Sequence, residues 1–241
     1  MKKVMVLGSS GATGRLVVSQ LLKQNVEVVA ILRPSSNIPV EFASQDKLEI
    51  IKTEITDIKE NELINYLTGC DGVISCLGHN LTFKGMFGHP KLLVTNSIEK
   101  VCQAIERTKT DKIFKLILMN TTGNSNRDLT ENPPTSQKVV VSILRLLLPP
   151  HVDNEKATDY LRLKVGQNNK LIEWAAVRPD SLTDSEEVTK YDLSISPTRN
   201  AIFNAAPTSR INVADFMTRL ICEDTLWSQW KGKMPVIYNH A

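Results

Sequence analysis

The chain has 241 residues, 41% of them hydrophobic and 23% charged, with a formal net charge of +3. That length suits one globular domain with a core large enough to need no disulfides, and so weak a charge, spread along the chain, argues against nucleic acid or a membrane surface as partner. The four cysteines, Cys70, Cys76, Cys102 and Cys222, have no CxxC spacing and no histidines clustered near them, which argues against a metal site or a disulfide framework and for reduced thiols in the cytoplasm.

In chain order, residues 3–7 are expected as a buried strand, short, apolar and stopped by Gly8. That run is too short for a secretory leader. Residues 13–23 are expected as a helix with Val17, Leu21 and Leu22 on one face. Residues 26–32, "VEVVAIL", form a second strand and residues 48–53 a third, followed by a polar turn at Thr56 and Asp57. A helix at 60–67 precedes a fourth strand at 71–77, "DGVISCL"; a helix at 92–107 precedes a fifth at 114–119, "FKLILM". Residues 139–150, "VVVSILRLLLPP", are apolar but too short to span a bilayer and carry Arg145, so a buried or groove-lining helix is expected there. A helix at 154–163, a sixth strand at 172–177, a helix at 213–223 opened by Asn212, and a last strand at 234–238 complete the series, with Trp227 and Trp230 as a packed cluster between the last two.

Strands and helices alternate, and the strands are continuous apolar runs. This is the pattern of an α/β protein: a parallel sheet covered by helices on both faces, here as one domain over residues 1–241. Residues 78–90 and 123–150 are long connections at the carboxyl ends of strands, where such sheets bind ligands. The irregular stretch 180–210 is expected as a small substrate-side lobe.

The chemistry is concentrated at "GSSGATG", residues 8–14. A turn between a buried strand and an amphipathic helix must be tight and must let its backbone approach whatever sits there, which glycine permits. The amides at the helix start, with the helix dipole, favour a phosphate. Gly8, Gly11 and Gly14, with the backbone of Ala12 and the hydroxyls of Ser10 and Thr13, therefore form a candidate pyrophosphate cradle, although the spacing is GxxGxxG rather than GxGxxG. Arg33 follows the second strand, 19 residues after Gly14, where an acid would hold the ribose hydroxyl of NAD; an arginine there clamps the 2′-phosphate of NADP, with Ser35 and Ser36 as further donors. NADPH is therefore the expected cofactor in preference to NADH.

"GSSGATGR" at 8–15, "ITD" at 55–57, "SCLG" at 75–78, "VRPDSL" at 177–182 and "SRINVADFM" at 209–217 together resemble the atypical short-chain dehydrogenase/reductase superfamily, and within it the NmrA-like and flavin-reductase-like NAD(P)H-binding proteins. The resemblance implies a Rossmann-like doubly wound parallel sheet with a small C-terminal substrate region. It implies that Asp57 and Ile58 flank the adenine and that Cys76, Leu77 and Gly78 lie beside the nicotinamide ribose. It also implies a catalytic Ser or Thr after strand five and a Tyr and Lys, as YxxxK, on the next helix.

Thr122 fills the hydroxyl position, and Tyr160 with Lys164 matches YxxxK literally, on one helical face. The superfamily's register instead puts the pair near Pro150 and Asn154, where a slip of one or two residues offers His151 with Glu155, or Lys156. His79 and Asn80 open the loop after strand four, and Phe83, Met86 and Phe87 are spaced to make an apolar lid. The expectation is a hydride transfer from NADPH to a small carbonyl, quinone or flavin-type acceptor. The alternative is an NADP(H)-binding redox sensor without turnover. A nucleotide-sugar epimerase would need a larger C-terminal lobe.

Overall fold

The structure, a computed structural model, describes residues 1–79, 91–129, 131, 140, 143, 145, 149–201 and 203–240. Asn80, Phe83, Met86 and Phe87 lie outside these residues. The first strand, β1 (Lys3–Leu7), pairs in parallel with β2 (Glu27–Leu32) on one side and β4 (Gly72–Ser75) on the other. Alternate residues explain its unbroken apolar run: Met5 and Leu7 enter one core layer and Val4 and Val6 the other.

The full sheet order is β3-β2-β1-β4-β5-β6-β10-β8, with β3 (Leu48–Lys52), β5 (Phe114–Met119), β6 (Ile172–Pro179), β8 (Tyr191–Ser194) and β10 (Val236–Asn239). All pairings are parallel except β10 with β8. The chain runs outward from β1 to β3 and then returns to the other side of β1 with β4. This reversal opens a crevice above the carboxyl ends of β1 and β4, the place where doubly wound sheets bind ligands.

Helix α1 (Gly14–Lys23) covers one face with α5 (Arg210–Cys222) and α6 (Asp224–Trp230). Helices α2 (Glu60–Leu67), α3 (Leu93–Arg107) and α4 (Pro149–Tyr160) cover the other. Val17, Val18 and Leu21 of α1 are fully buried, and each such side chain contributes roughly 1.5–3 kcal/mol of transfer free energy. The doubly wound fold read from the sequence is therefore the one adopted.

Three local expectations need correction. The helix expected at 154–163 is α4, from Pro149 to Tyr160, and the chain then winds as a π-helical turn over Leu161–Val165. Helix α5 starts at Arg210, capped by the Ser209 hydroxyl, which accepts from the Asn212 N–H. The Asn212 side chain instead ties Thr189 to Asn239. Trp227 and Trp230 are packed in the core as expected, and they lie on a short helix, α6, pinned by Trp227 Nε1 donating to Glu173 at 2.6 Å.

Within 180–210, β7 (Ser181–Thr183) and β9 (Pro207–Ser209) make a two-stranded parallel sheet, while β8 extends the edge of the main one. Among the described residues, no helix is long and apolar enough to cross a membrane.

Candidate functional site

Gly8 ends β1 with φ +72°, a left-handed conformation that L side chains rarely adopt. A β-carbon there would stand 2.8 Å from the carbonyl oxygen of Cys76, and one on Gly14 would overlap the carbonyl oxygen of Gly8. Glycine is thus demanded at both ends of the turn, by conformation and the nearby end of β4 at the first and by the close approach of α1 to the end of β1 at the last. The Gly11 N–H closes the turn onto Gly8 O at 3.0 Å, and the buried Ser9 hydroxyl donates to Val6 O at 2.7 Å. These bonds fix the turn above which the cleft opens.

That space is a cleft of about 220 Å³ at the switch point. Its floor is Gly8 and residues 10–13, so Ser10, Gly11, Ala12 and Thr13 come together as expected, with Gly14 packed beneath them. Arg33 stands at one end, after β2, and the Ser10 hydroxyl donates to the Ser36 hydroxyl at 2.9 Å beside it. Cys76, Leu77 and Gly78 form the opposite wall, where Cys76 N–H donates to Leu7 O at 3.0 Å. Burial pushes the Cys76 thiol up to about 12, so it serves as a wall and not as a nucleophile.

The adenine-side expectation shifts. Ile58 is buried in the core below the sheet and Asp57 is exposed; neither lines the cleft. Thr53, Glu54 and Ile55, directly after β3, line it instead. The small lobe adds Leu182 and Arg210, whose guanidinium also meets Asp184 at 2.9 Å.

The expected catalytic residues are not in this cleft. Thr122 is buried, and its hydroxyl donates to Asp180 Oδ1 at 3.0 Å, while Asp180 Oδ2 accepts the Ala206 N–H. Thr122 therefore latches the end of β5 to the end of β6 and the lobe. Burial pushes the Asp180 carboxyl up, against the hydrogen bonds from Ala206 and Thr122.

Tyr160, Lys164 and Lys156 line a separate groove between α3 and α4, with Leu92 and Glu99. The Tyr160 ring packs on the core, and burial, helped by Cys102, Glu106 and Glu99, pushes its hydroxyl up to about 12. A catalytic tyrosine needs the opposite shift. The literal YxxxK is thus a packed aromatic followed by an exposed lysine in the π turn. The other register, His151 with Glu155, is an i, i+4 contact of 3.4 Å on α4. There Arg145 holds the Glu155 carboxylate through both oxygens.

One contact had no sequence signal. His79 lines the cleft after β4, and its Nε2 lies 2.7 Å from Asp153 Oδ2 on α4. Asp153 is fully buried and also accepts the N–H groups of Val94 and Thr95, capping α3 from another helix. Burial pushes Asp153 up, but the bonds from His79, Thr95 and Val94 outweigh it and hold the carboxyl below its ordinary value.

A glycine-built cradle at the switch point of a doubly wound sheet defines a dinucleotide-binding protein. The chain belongs to the NAD(P)H-binding family, whose profile matches residues 8–224. A curated relative, divinyl chlorophyllide a 8-vinyl-reductase of the Arabidopsis thaliana chloroplast, is 34% identical over 82 residues; the match takes in 31% of this chain and only 20% of that protein.

Among solved structures, the oxidoreductase ylbE of Lactococcus lactis superposes with a TM-score of 0.67 at 18% identity, over 99% of this chain and 91% of the other. A short-chain dehydrogenase/reductase of Veillonella parvula in complex with NADP superposes with a TM-score of 0.69 at 16% identity, over 99% and 94%. At these identities the likeness is one of fold.

Proposed function

We propose that the protein is an NADPH-dependent oxidoreductase that reduces a small carbonyl, quinone or flavin-type acceptor. The observation that carries this reading is the cleft itself. Gly8 and Gly14 leave a bare backbone cradle that any β-carbon would disrupt, and the cradle lies between Arg33 at one end and the wall at 76–79 at the other. NADPH, when bound, supplies a hydride from its nicotinamide ring.

This chain's residues do the rest. The amides of residues 10–13 and the α1 N-terminus hold the pyrophosphate. Arg33, with Ser10 and Ser36, takes the 2′-phosphate. Cys76, Leu77 and Gly78 flank the nicotinamide ribose. Met119 and Leu182, apolar and at the same end of the cleft, seat the acceptor and exclude water. The reductase and oxidoreductase names of the relatives, and the NADP bound to the Veillonella protein, support this reading. The four free cysteines, three of them buried, suit a reducing compartment such as the cytoplasm.

One observation favours the second reading, a cofactor sensor without turnover: Tyr160 and Lys164 face a different groove. Loss of the reduced-nicotinamide absorbance on mixing with quinones, flavins and aldehydes separates the two. Turnover with one class of acceptor supports the oxidoreductase. Tight NADPH binding with no turnover across the panel supports the sensor.

A further inference from the structure

We propose that Arg210 is a specificity residue of this cleft: it holds an oxyanion, a carboxylate or a phosphate, carried by the acceptor. The inference rests on the oxidoreductase reading and names the class of acceptor that reading leaves open. It starts from the charges along the cleft. The ionisable lining residues among those described are Arg33, Glu54, Cys76, His79 and Arg210. Burial holds the Cys76 thiol neutral, and His79 is bonded to Asp153. Arg33 follows β2 and Glu54 follows β3, both on the far side of β1 from β4, β5 and β6. Arg210 is the arginine of the other end.

The fold fixes where Arg210 enters. Strand β7 continues from β6 and pairs with β9, Leu182 opposite Thr208 and Thr183 opposite Ser209. Arg210 is the next residue and the first of α5. It is thus carried in next to β7, and both Leu182 and Arg210 line the cleft. Met119, the last residue of β5, pairs with Val177 of β6 and lines it too. The end of the cleft assigned to the acceptor therefore combines two apolar residues with one permanent cation.

Stability does not account for an arginine there. A cation in the first turn of a helix opposes the helix dipole, and the first turn of α5 holds no acidic residue to offset it. The partner of Arg210 is Asp184, with Nη1 donating to Oδ1 at 2.9 Å and side chains 25% and 84% exposed. A pair so open to solvent contributes little. A guanidinium carries five N–H donors in a planar fork, and among the described residues this bond engages Nη1 alone. The side chain is long and partly exposed, so it can swing from Asp184 to a ligand. An oxyanion in the cleft, shielded from water, then displaces Asp184 and takes two parallel N–H bonds.

The test uses the full chain with NADPH and with acceptors in pairs that differ by one anionic group: flavin mononucleotide beside riboflavin, carboxybenzaldehyde beside benzaldehyde, and a naphthoquinone carboxylate beside naphthoquinone. In the class that is turned over, wild type should favour the charged member roughly tenfold or more in kcat/KM. Arg210→Gln, checked for folding by thermal unfolding, should bring that ratio close to one through a higher KM for the charged member, with NADPH affinity held. Arg210→Lys keeps the charge without the fork and should retain part of the preference. Asp184→Asn removes the competing carboxylate and should raise the ratio, an effect that a merely structural pair would not produce.

A wild-type ratio near one in every class turned over would overturn the proposal, and so would a ratio that Arg210→Gln leaves unchanged. A loss of NADPH affinity in Arg210→Gln as large as the loss of kcat/KM would also overturn it, since Arg210 would then hold a phosphate of the cofactor. If wild type binds NADPH yet reduces no member of any pair, the oxidoreductase reading fails and takes the anchor with it. That result is distinct from the others, in which wild-type turnover is intact.

Discussion

A β-carbon on Gly14 would occupy the place of the Gly8 carbonyl oxygen. The first turn of α1 lies directly on the end of β1, and this contact sets the depth of the cradle. Gly14→Ala must move the helix or the strand, at a cost of roughly 2–4 kcal/mol. Gly11→Ala meets the same oxygen at 3.1 Å, where a shift of a few tenths of an ångström relieves it, so it should cost clearly less. Thermal unfolding of the two variants beside wild type ranks them.

The groove between α3 and α4 is separate from the cleft, and Tyr160 and Lys164 belong to the groove. Tyr160→Phe and Lys164→Ala should therefore leave NADPH affinity and any turnover near wild type. A substantial loss of kcat in Tyr160→Phe, with the fold intact by circular dichroism, would return the tyrosine to the mechanism.

These two cases mark how far the sequence could be read. The strands, the parallel sheet and the glycine turn were legible because each is local: a short apolar run, a 3.6-residue period, glycines in a row. YxxxK is also local, but its meaning depends on which way the helix faces. The face of α4 is decided by packing against α3, which no spacing reveals. His79 and Asp153 are 74 residues apart and meet only because α4 packs over the start of α3. Ile58 lies outside the cleft for a similar reason: it turns under the sheet into the core, and the chain three to five residues earlier reaches the cleft. Helix α6 was missed because a stretch from Asp224 to Trp230 is too short to establish a period.

Glu155 is buried against Arg145 and His151. Burial pushes its carboxyl up, but these two partners outweigh it and bring it down to about 2, from 4.5. A folded value below the unfolded one means the stabilisation is fully present above about pH 4.5 and is lost as pH falls towards about pH 2. Its size is on the order of 2–3 kcal/mol. Denaturant unfolding of wild type and Glu155→Gln should show the variant less stable at neutral pH and the gap closing as the solution is acidified through that window. A gap that does not change with pH would contradict the assignment.

Burial pushes all four thiols up, Cys70 and Cys76 to about 12. Cys70, Cys76 and Cys102 are buried, and Cys222 is half-buried at the end of α5. Thiolate content and access together control alkylation. Iodoacetamide on the native protein, followed by peptide mass spectrometry, should label Cys222 first and the other three only on unfolding. Early labelling of Cys76 would mean that the cleft wall opens.

The cleft from Gly8 to His79 is proposed to hold NADPH, with Arg33 on its 2′-phosphate. Calorimetric titration with NADPH and with NADH, for wild type and Arg33→Ala, tests it most directly. Wild type should bind NADPH roughly tenfold or more tighter than NADH, and Arg33→Ala should remove the preference while NADH binding persists. Failure of both nucleotides to bind would contradict it, and Gly8, Gly11 and Gly14 would then make a tight turn and nothing more.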